Sequence, residues 1–243
     1  RLKSGDIEKI QRRLITQEDP KSPISEAYRS LRTNLLFSQN ATDDECNVIL
    51  ISSPGPGEGK TTTIVNLAIT YANLGKKTLL IDCDLRKPVI HKIFSLDKDP
   101  GLTRYLSGLD NNISNLINRV DVNNLDVITC GAVPPNPSEI LASSKMDEVM
   151  NDLMKEYDII LIDSPPLIAV TDSFVLTKFA KQFILVVRAG QTEKGGLDRV
   201  LGQINHMGVS LSGIVMNDVD ESNSYSNGYY YNYYRSYYEE ESN

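Results

Sequence analysis

The chain has 243 residues, 40% apolar and 23% charged, with a net charge of −7, which suits one large α/β domain and argues against a general nucleic-acid role. Its three cysteines, Cys46, Cys83 and Cys130, stand far apart with no Cys-x-x-Cys or His cluster beside them, so metal and disulfide readings both fail and a reducing cytosol fits best. No run of 18 apolar residues exists; the chain opens on Arg1 rather than Met and has no signal peptide, which leaves open a membrane segment upstream.

Residues 1–21 are polar and mixed in charge; Leu2, Ile7, Ile10 and Leu14 make one short helical stripe, expected as a weak helix or arm. Ser22-Pro23 reads as a helix start. In that helix Ile24, Ala27, Tyr28, Leu31 and Leu35 share the apolar face, while Glu26 and Arg29 lie opposite and Arg32 lies at the flank. Then Val48 to Ile51 is a short apolar run rich in β-branched residues, expected as a buried strand. A Gly/Pro loop follows, from Pro54 to Gly59, and then a helical pattern from Thr61. Strand, Gly-rich loop and helix, with Gly59-Lys60-Thr61 closing the loop, is a P-loop. Its glycines let backbone amides turn in around a phosphate without a Cβ clash, and the helix N-terminus adds partial positive charge. Lys60 can reach the β- and γ-phosphates, and the Thr61 hydroxyl can ligate Mg²⁺. One departure is Pro54, where the generic motif has Gly.

After a helix stop at Gly75, Lys77 to Cys83 reads as a second strand, ending in Asp82-Cys83-Asp84-Leu85-Arg86-Lys87-Pro88. Two carboxylates at a strand's C-terminal end sit where open α/β sheets bind ligands. Asp82 and Asp84 face opposite ways in an ideal strand, so their joint use needs the chain to leave strand geometry there. Short helical patterns follow around Leu102–Leu106 and Ile113–Ile117, and Leu125 to Thr129 is a third strand candidate. Gly131 to Ser138 is a Pro-rich loop, with Ser138 expected to cap a short helix through Leu141. Met146, Val149, Met150 and Leu153 mark another helix. Tyr157 to Ile162 is a strand closed by Asp163-Ser-Pro-Pro166, a carboxylate placed as in Walker B. Phe183–Val187 and Leu211–Met216 complete the strands, with a helix through Leu197, Val200, Leu201 and Ile204 between them. The alternation implies an α/β fold: a mostly parallel central sheet with helices on both faces.

The end of the chain is a composition break. Eight of the twelve tyrosines fall between Tyr225 and Tyr238, among Asn, Ser and Gly, without apolar periodicity, and a disordered tail is expected. From Val219 on there are five acids and one Arg, so the tail carries −4 and the rest of the chain −3.

Over about residues 22–243 the chain resembles the bacterial tyrosine kinases, the P-loop autokinases of capsule and exopolysaccharide synthesis. Pro56-Gly-Glu-Gly-Lys-Thr61 is similar to that family's Walker A, Leu80 to Pro88 to its Walker A′, and Ile160 to Pro166 to its Walker B. Glu26, Arg29 and Arg32 match its E-x-x-R-x-x-R oligomerisation helix. The loop Pro134 to Glu139 and the tyrosine cluster also fit. The P-loop alone marks many unrelated NTPases; the tyrosine tail with the Arg helix is the specific part.

The resemblance implies a P-loop NTPase fold divided into an arm at 1–21, a kinase domain at 22–218 and a tail at 219–243. It implies an ATP- and Mg²⁺-dependent protein-tyrosine autokinase. Gly55, Gly57, Glu58, Gly59, Lys60, Thr61 and Thr62 would hold the nucleotide. Lys60 would neutralise charge on the transferred group, Asp82 would accept the tyrosine's proton, and Thr61, Asp84 and Asp163 would hold the metal, directly or through water. Tyr225, Tyr229, Tyr230, Tyr231, Tyr233, Tyr234, Tyr237 and Tyr238 would be the acceptors. A ring, expected as an octamer, would assemble through Glu26, Arg29 and Arg32. A transmembrane activator of polysaccharide synthesis and a cognate tyrosine phosphatase would be partners, placing the chain in the cytoplasm at the membrane's inner face. The main rival is a Min- or Par-type ATPase switch, which shares the fold and the Asp-x-Asp but usually carries a second lysine where this chain has Gly55. A non-enzymatic tyrosine-rich scaffold is the other; the full Lys60, Thr61, Asp82, Asp84, Asp163 set argues against it.

Overall fold

Four continuous apolar strands set the architecture of the computed structural model, which describes residues 14–38, 45–168 and 172–219. In β1 (Asn47–Ser52), β2 (Thr78–Asp82) and β5 (Ile159–Asp163) every residue is buried, and in β6 (Gln182–Arg188) all but the last. Such runs have no polar face because helices cover the sheet on both sides. The sheet has seven strands in the order β3-β4-β2-β5-β1-β6-β7, completed by β3 (Ile117–Arg119), β4 (Leu125–Ile128) and β7 (Gly213–Asn217). All pairings are parallel except β3 with β4. The sequence patterns placed these strands to within a few residues but missed β3. Its three residues are too few to show a period, and Ile117 also ends the helical pattern around Ile113.

On one face lies α3 (Lys60–Asn73), the helix that leaves the P-loop. Ile64, Val65, Leu67, Ala68, Ile69 and Tyr71 pack on Ile49, Ile51, Leu80 and Leu161. It is buried nearly all round because α1 (Ile15–Glu18) and α2 (Pro23–Phe37) cover its outer side. Thr16 of α1 is buried and bonds Asn66 Oδ1 through its amide at 3.1 Å and its hydroxyl at 2.9 Å. The rest of the expected stripe, Leu2, Ile7 and Ile10, lies outside the described residues. On the other face α7 (Ser144–Glu156) buries Met146, Val149, Met150 and Leu153, and α9 (Lys194–His206) buries Val200 and Ile204. Short helices α4 (Ile90–Ile93), α5 (Leu102–Leu106), α6 (Pro137–Leu141) and α8 (Asp172–Leu176) fill the connections. Among the described residues no helix is long and apolar enough to cross a membrane.

Two local expectations are corrected. Ser138 does not cap α6; Asn136 holds the N-cap position, and the Ser138 hydroxyl donates instead to Asp172, 34 residues away. In α2, capped by Ser22 Oγ accepting from the Ser25 amide at 3.1 Å, Ile24 and Ala27 are exposed, while Ser25 and Leu35 are the buried positions. The inward face is rotated toward Ser25, and Arg32 turns inward with it. Its Nη1 donates to Thr70 O of α3 at 2.7 Å.

Candidate active site

The C-terminal ends of β1, β2, β5, β6 and β7 converge where the chain order crosses the sheet, the position at which open α/β sheets bind ligands. From β1 the backbone enters the loop Pro54–Gly59. Gly57 and Gly59 adopt φ of +79° and +95°, a left-handed conformation that side chains resist. A Cβ on Gly59 would also lie 2.0 Å from Asn217 Nδ2. The carbonyls of this loop are held from the sheet's β6–β7 side. Gln191 Nε2 donates to Pro56 O at 3.4 Å, Arg188 Nη1 to Gly57 O at 3.3 Å and Asn217 Nδ2 to Glu58 O at 3.2 Å. The buried Glu58 carboxylate accepts from the Gly55 amide at 2.7 Å and from Thr192 Oγ1 at 2.6 Å. The amides from Gly57 to Thr62 meet no acceptor among the described residues. With its carbonyls engaged and its amides free at a helix N-terminus, the loop is a cradle for an anion.

Lys60 sits under that cradle, 9% exposed. Its ammonium donates to Asp84 Oδ2 at 2.9 Å, to Asp163 Oδ1 at 3.2 Å and to Thr61 Oγ1 at 3.2 Å. Burial works against its charge, but the Asp163 and Asp84 carboxylates outweigh burial and hold the lysine above its ordinary pKa. Thr61 Oγ1 donates to the other oxygen of Asp163 at 2.7 Å.

Asp82 and Asp163 end adjacent parallel strands in register, so two carboxyl groups emerge side by side, both fully buried. Burial raises the pKa of each. Asp82 is pushed up to about 8, by burial and then by the Asp163 charge, against the bond from the Ile90 amide. Asp163 is held back by Lys60 and by the Thr61 bond. Beyond Asp82 the chain leaves the strand. Asp82 accepts from the Asp84 amide at 3.3 Å and the Ile90 amide at 3.1 Å, and Asp84 Oδ1 accepts from the Lys87 amide at 3.0 Å. That turn brings Asp84 to Lys60 and supplies the departure from strand geometry that joint use of the two carboxylates requires.

The structure therefore gathers Gly55, Gly57, Glu58, Gly59, Lys60, Thr61, Thr62, Asp82, Asp84 and Asp163 at one sheet end. Free amides and a lysine suit the phosphates of a nucleotide. Thr61, Asp84 and Asp163 offer hard oxygen donors of the kind Mg²⁺ takes, one or two carboxylates at a time beside phosphates and water. No group of three His, Cys, Asp or Glu able to hold a metal ion unaided occurs among the described residues.

Glu26, Arg29 and Arg32 lie away from this site, on α2. Arg29 Nε pairs with Glu26 Oε2 at 2.6 Å and Nη1 donates to Pro20 O at 2.8 Å. Glu26 and Arg29 are partly exposed and engaged with each other, and Arg32 is engaged with α3. The eight tail tyrosines lie outside the described residues. Sequence reading missed Arg188, Gln191, Thr192 and Asn217; the one signal for them was their place at the C-terminal ends of the last two strands.

The family described as AAA domain matches residues 46–213. The chain is 38% identical to the tyrosine-protein kinase YwqD of Bacillus subtilis, over 89% of this chain and 90% of that protein. It is 38% identical to the tyrosine-protein kinase CpsD of Streptococcus pneumoniae, over 81% and 85%. The crystal structure of the chimerical protein CapA2B2 superposes with a TM-score of 0.81 at 37% identity, covering 85% of this chain and 90% of that one. The kinase domain of Escherichia coli tyrosine kinase ETK gives 0.81 at 32%, over 88% and 82%. More distantly, MinD of Pyrococcus horikoshii, complexed with Mg-ADP, gives 0.59 at 25%, over 70% of each chain. With the P-loop, the two acidic motifs and the α2 Arg helix all present, the chain belongs to the bacterial tyrosine kinase family and is a P-loop protein-tyrosine kinase.

Proposed function

We propose that the chain is an ATP- and Mg²⁺-dependent autokinase that phosphorylates the tyrosine cluster at 225–238 of a neighbouring copy within a ring, and so regulates capsule or exopolysaccharide synthesis. The observation that carries the chemistry is the convergence of Thr61, Asp84 and Asp163 on Lys60, each within hydrogen-bond distance of its ammonium, beneath a loop of unpaired amides. Phosphoryl transfer asks little covalent chemistry of a protein; it asks for positioning and charge, which these groups supply. Lys60 would turn from Asp84 to the phosphates. Thr61, Asp84 and Asp163 would hold the metal, whose positive charge would offset charge on the transferred group. Asp82, in its ionised form, would accept the tyrosine's proton.

The acceptor needs no deep pocket if it is tethered nearby. A random coil of 25 residues, the length from Val219 to Asn243, would have a root-mean-square reach of roughly 25–30 Å, about a domain's width. Within a ring, an acceptor so tethered has an effective concentration on the order of millimolar. Glu26 and Arg29, partly exposed on α2, supply a surface for head-to-tail contact that closes into a ring, expected as an octamer. Each phosphate adds about −1.5 to −2 charges to an acidic tail, which opposes re-entry and loosens the ring. A membrane-spanning activator, a tyrosine phosphatase and a place at the inner face of the membrane complete this reading. The ATPase-switch alternative has the weaker support: MinD superposes less well than the kinases, and Gly55 stands where such switches carry their second lysine. The test is anti-phosphotyrosine reactivity of the purified protein with Mg-ATP, expected for wild type and absent from Lys60→Met.

A further inference from the structure

Asp172 is a buried carboxylate held from two other segments. Arg86 donates to it in fork geometry, from Nε to Oδ2 at 2.8 Å and from Nη2 to Oδ1 at 3.3 Å, and Ser138 Oγ donates to Oδ1. The Asp172 side chain is 1% exposed and that of Arg86 43%. Arg86 lies in the turn after β2, two residues beyond Asp84; Ser138 lies in α6; Asp172 opens α8. The cluster thus ties together three segments, one of them the turn that carries Asp84.

Residues 83–88 are held to the rest of the fold by the buried side chains of Cys83 and Leu85 and by the Cys83 amide, which donates to Asp163 O at 2.9 Å. Among the described residues, two polar side-chain links also reach other segments: Lys60 with Asp84, and Arg86 with Asp172. The first competes with nucleotide, because a lysine that serves phosphate leaves the carboxylate. The second does not, and its bidentate geometry fixes direction as well as distance. We infer that Asp172, acting through Arg86, is a positioning residue that keeps Asp84 at the mouth of the P-loop once Lys60 has turned to the nucleotide; the inference rests on the kinase reading above. With the Arg86 side chain 43% exposed the pair is half solvated, and such pairs add little net stability, so a positioning role accounts for the cluster better than a purely structural one.

The test compares wild type with Arg86→Ala, Asp172→Asn and the double variant, in melting temperature, affinity for fluorescent ADP with Mg²⁺ and with EDTA, and kcat against KM for ATP. Arg86→Ala leaves a buried charge unpaired and lowers the melting temperature; removing both partners restores most of it. Positioning predicts that the double variant, though stable, keeps a kcat roughly 10–100-fold below wild type and loses the Mg²⁺-dependent gain in ADP affinity. Its affinity in EDTA stays near that of wild type. If kcat and the Mg²⁺ gain return together with stability, or if neither single variant changes them, the inference is overturned. Should Arg86→Ala fail to fold, Arg86→Lys keeps the charge but not the fork. An intermediate kcat supports the inference, and wild-type values overturn it. The ADP measurement is independent of the acceptor: a Mg²⁺ gain lost in the double variant while wild type labels no tyrosine supports Asp172 and sinks the kinase reading alone.

Discussion

The two charged regions of this molecule, the sheet-end cluster and helix α2, meet opposite solvents. Lys60, Asp82, Asp84 and Asp163 are each at most 9% exposed, whereas the Glu26 and Arg29 side chains are 28% and 34% exposed. A surface pair such as Glu26–Arg29, at i,i+3 spacing, stabilises a helix by about 0.3–0.5 kcal/mol. Four ionisable groups in the interior cost desolvation that their mutual attraction only partly offsets, which is why Asp82 and Asp163 both hold their protons more tightly than usual. Neither set is accounted for by the stability of the monomer. In the proposed reading, the interior charges serve a ligand and the exterior ones a second copy.

Lys60→Met should break the interior half most severely. It keeps length and an apolar stem but removes the only cation of the cluster, leaving Asp84 and Asp163 unpaired. Tyrosine phosphorylation should fall by about 10³-fold or more while the fold survives, checked by anti-phosphotyrosine blotting beside circular dichroism.

Asp82→Asn sharpens the same half through pH. The unfolded chain's Asp titrates near 3.9, while the folded Asp82 is pushed up to about 8. The native state therefore binds the extra proton between those values. Stability from this group is fully present below about pH 4 and is lost as pH rises through about 8. The variant, always neutral, should melt several degrees above wild type at pH 8 and close to it at pH 4, without nucleotide or metal. Its transfer rate should fall by roughly 10²–10⁴-fold where wild-type Asp82 is ionised, with the difference shrinking at lower pH, as for loss of a general base. Equal melting temperatures at pH 8 would contradict the burial argument, and an unchanged rate would remove Asp82 from proton transfer.

The exterior half is probed by Arg29→Ala with Arg32→Ala, which should convert the ring to monomers by light scattering. Because Arg32 also anchors α2 to Thr70 O, Arg29→Ala alone is the cleaner probe and should weaken assembly without lowering the melting temperature by more than about 1–2 °C. A wild-type mass for the double variant would exclude α2 as the ring contact. The smallest effect is expected at the outer wall of the P-loop. Thr192→Val removes one hydrogen bond to the buried Glu58 and should weaken nucleotide binding roughly 3–10-fold by calorimetry, through the shape of the loop rather than a ligand contact.

The interior half was the more legible in the sequence. Val48–Ile51 and Ile159–Ile162 are unbroken apolar runs, and the groups that meet in the site end those runs, so strand order and motif placed them together. What was missed depends on contacts between distant segments. Nothing near Ser138 announces Asp172, nothing in Thr192 announces Glu58, and Asn217 reads only as the end of a strand. On α2, periodicity put Arg32 at the flank of the helix, but a long side chain can fold back over the helix beneath it, and contact with Thr70 decided its direction. The proposed roles of Glu26 and Arg29 came from the E-x-x-R-x-x-R resemblance, since a contact with a second copy leaves no mark on the periodicity of α2.

Both halves meet in the claim that one copy's site acts on another copy's tail. Two proteins, each unable to label itself, test it: Lys60→Met with its tail intact, and an otherwise wild-type chain ending after Asp220. Incubated together with Mg-ATP, they should give phosphotyrosine on the Lys60→Met chain, and neither should label alone. If the mixture stays unlabelled under conditions where wild type labels fully, transfer occurs within one chain and the account is contradicted.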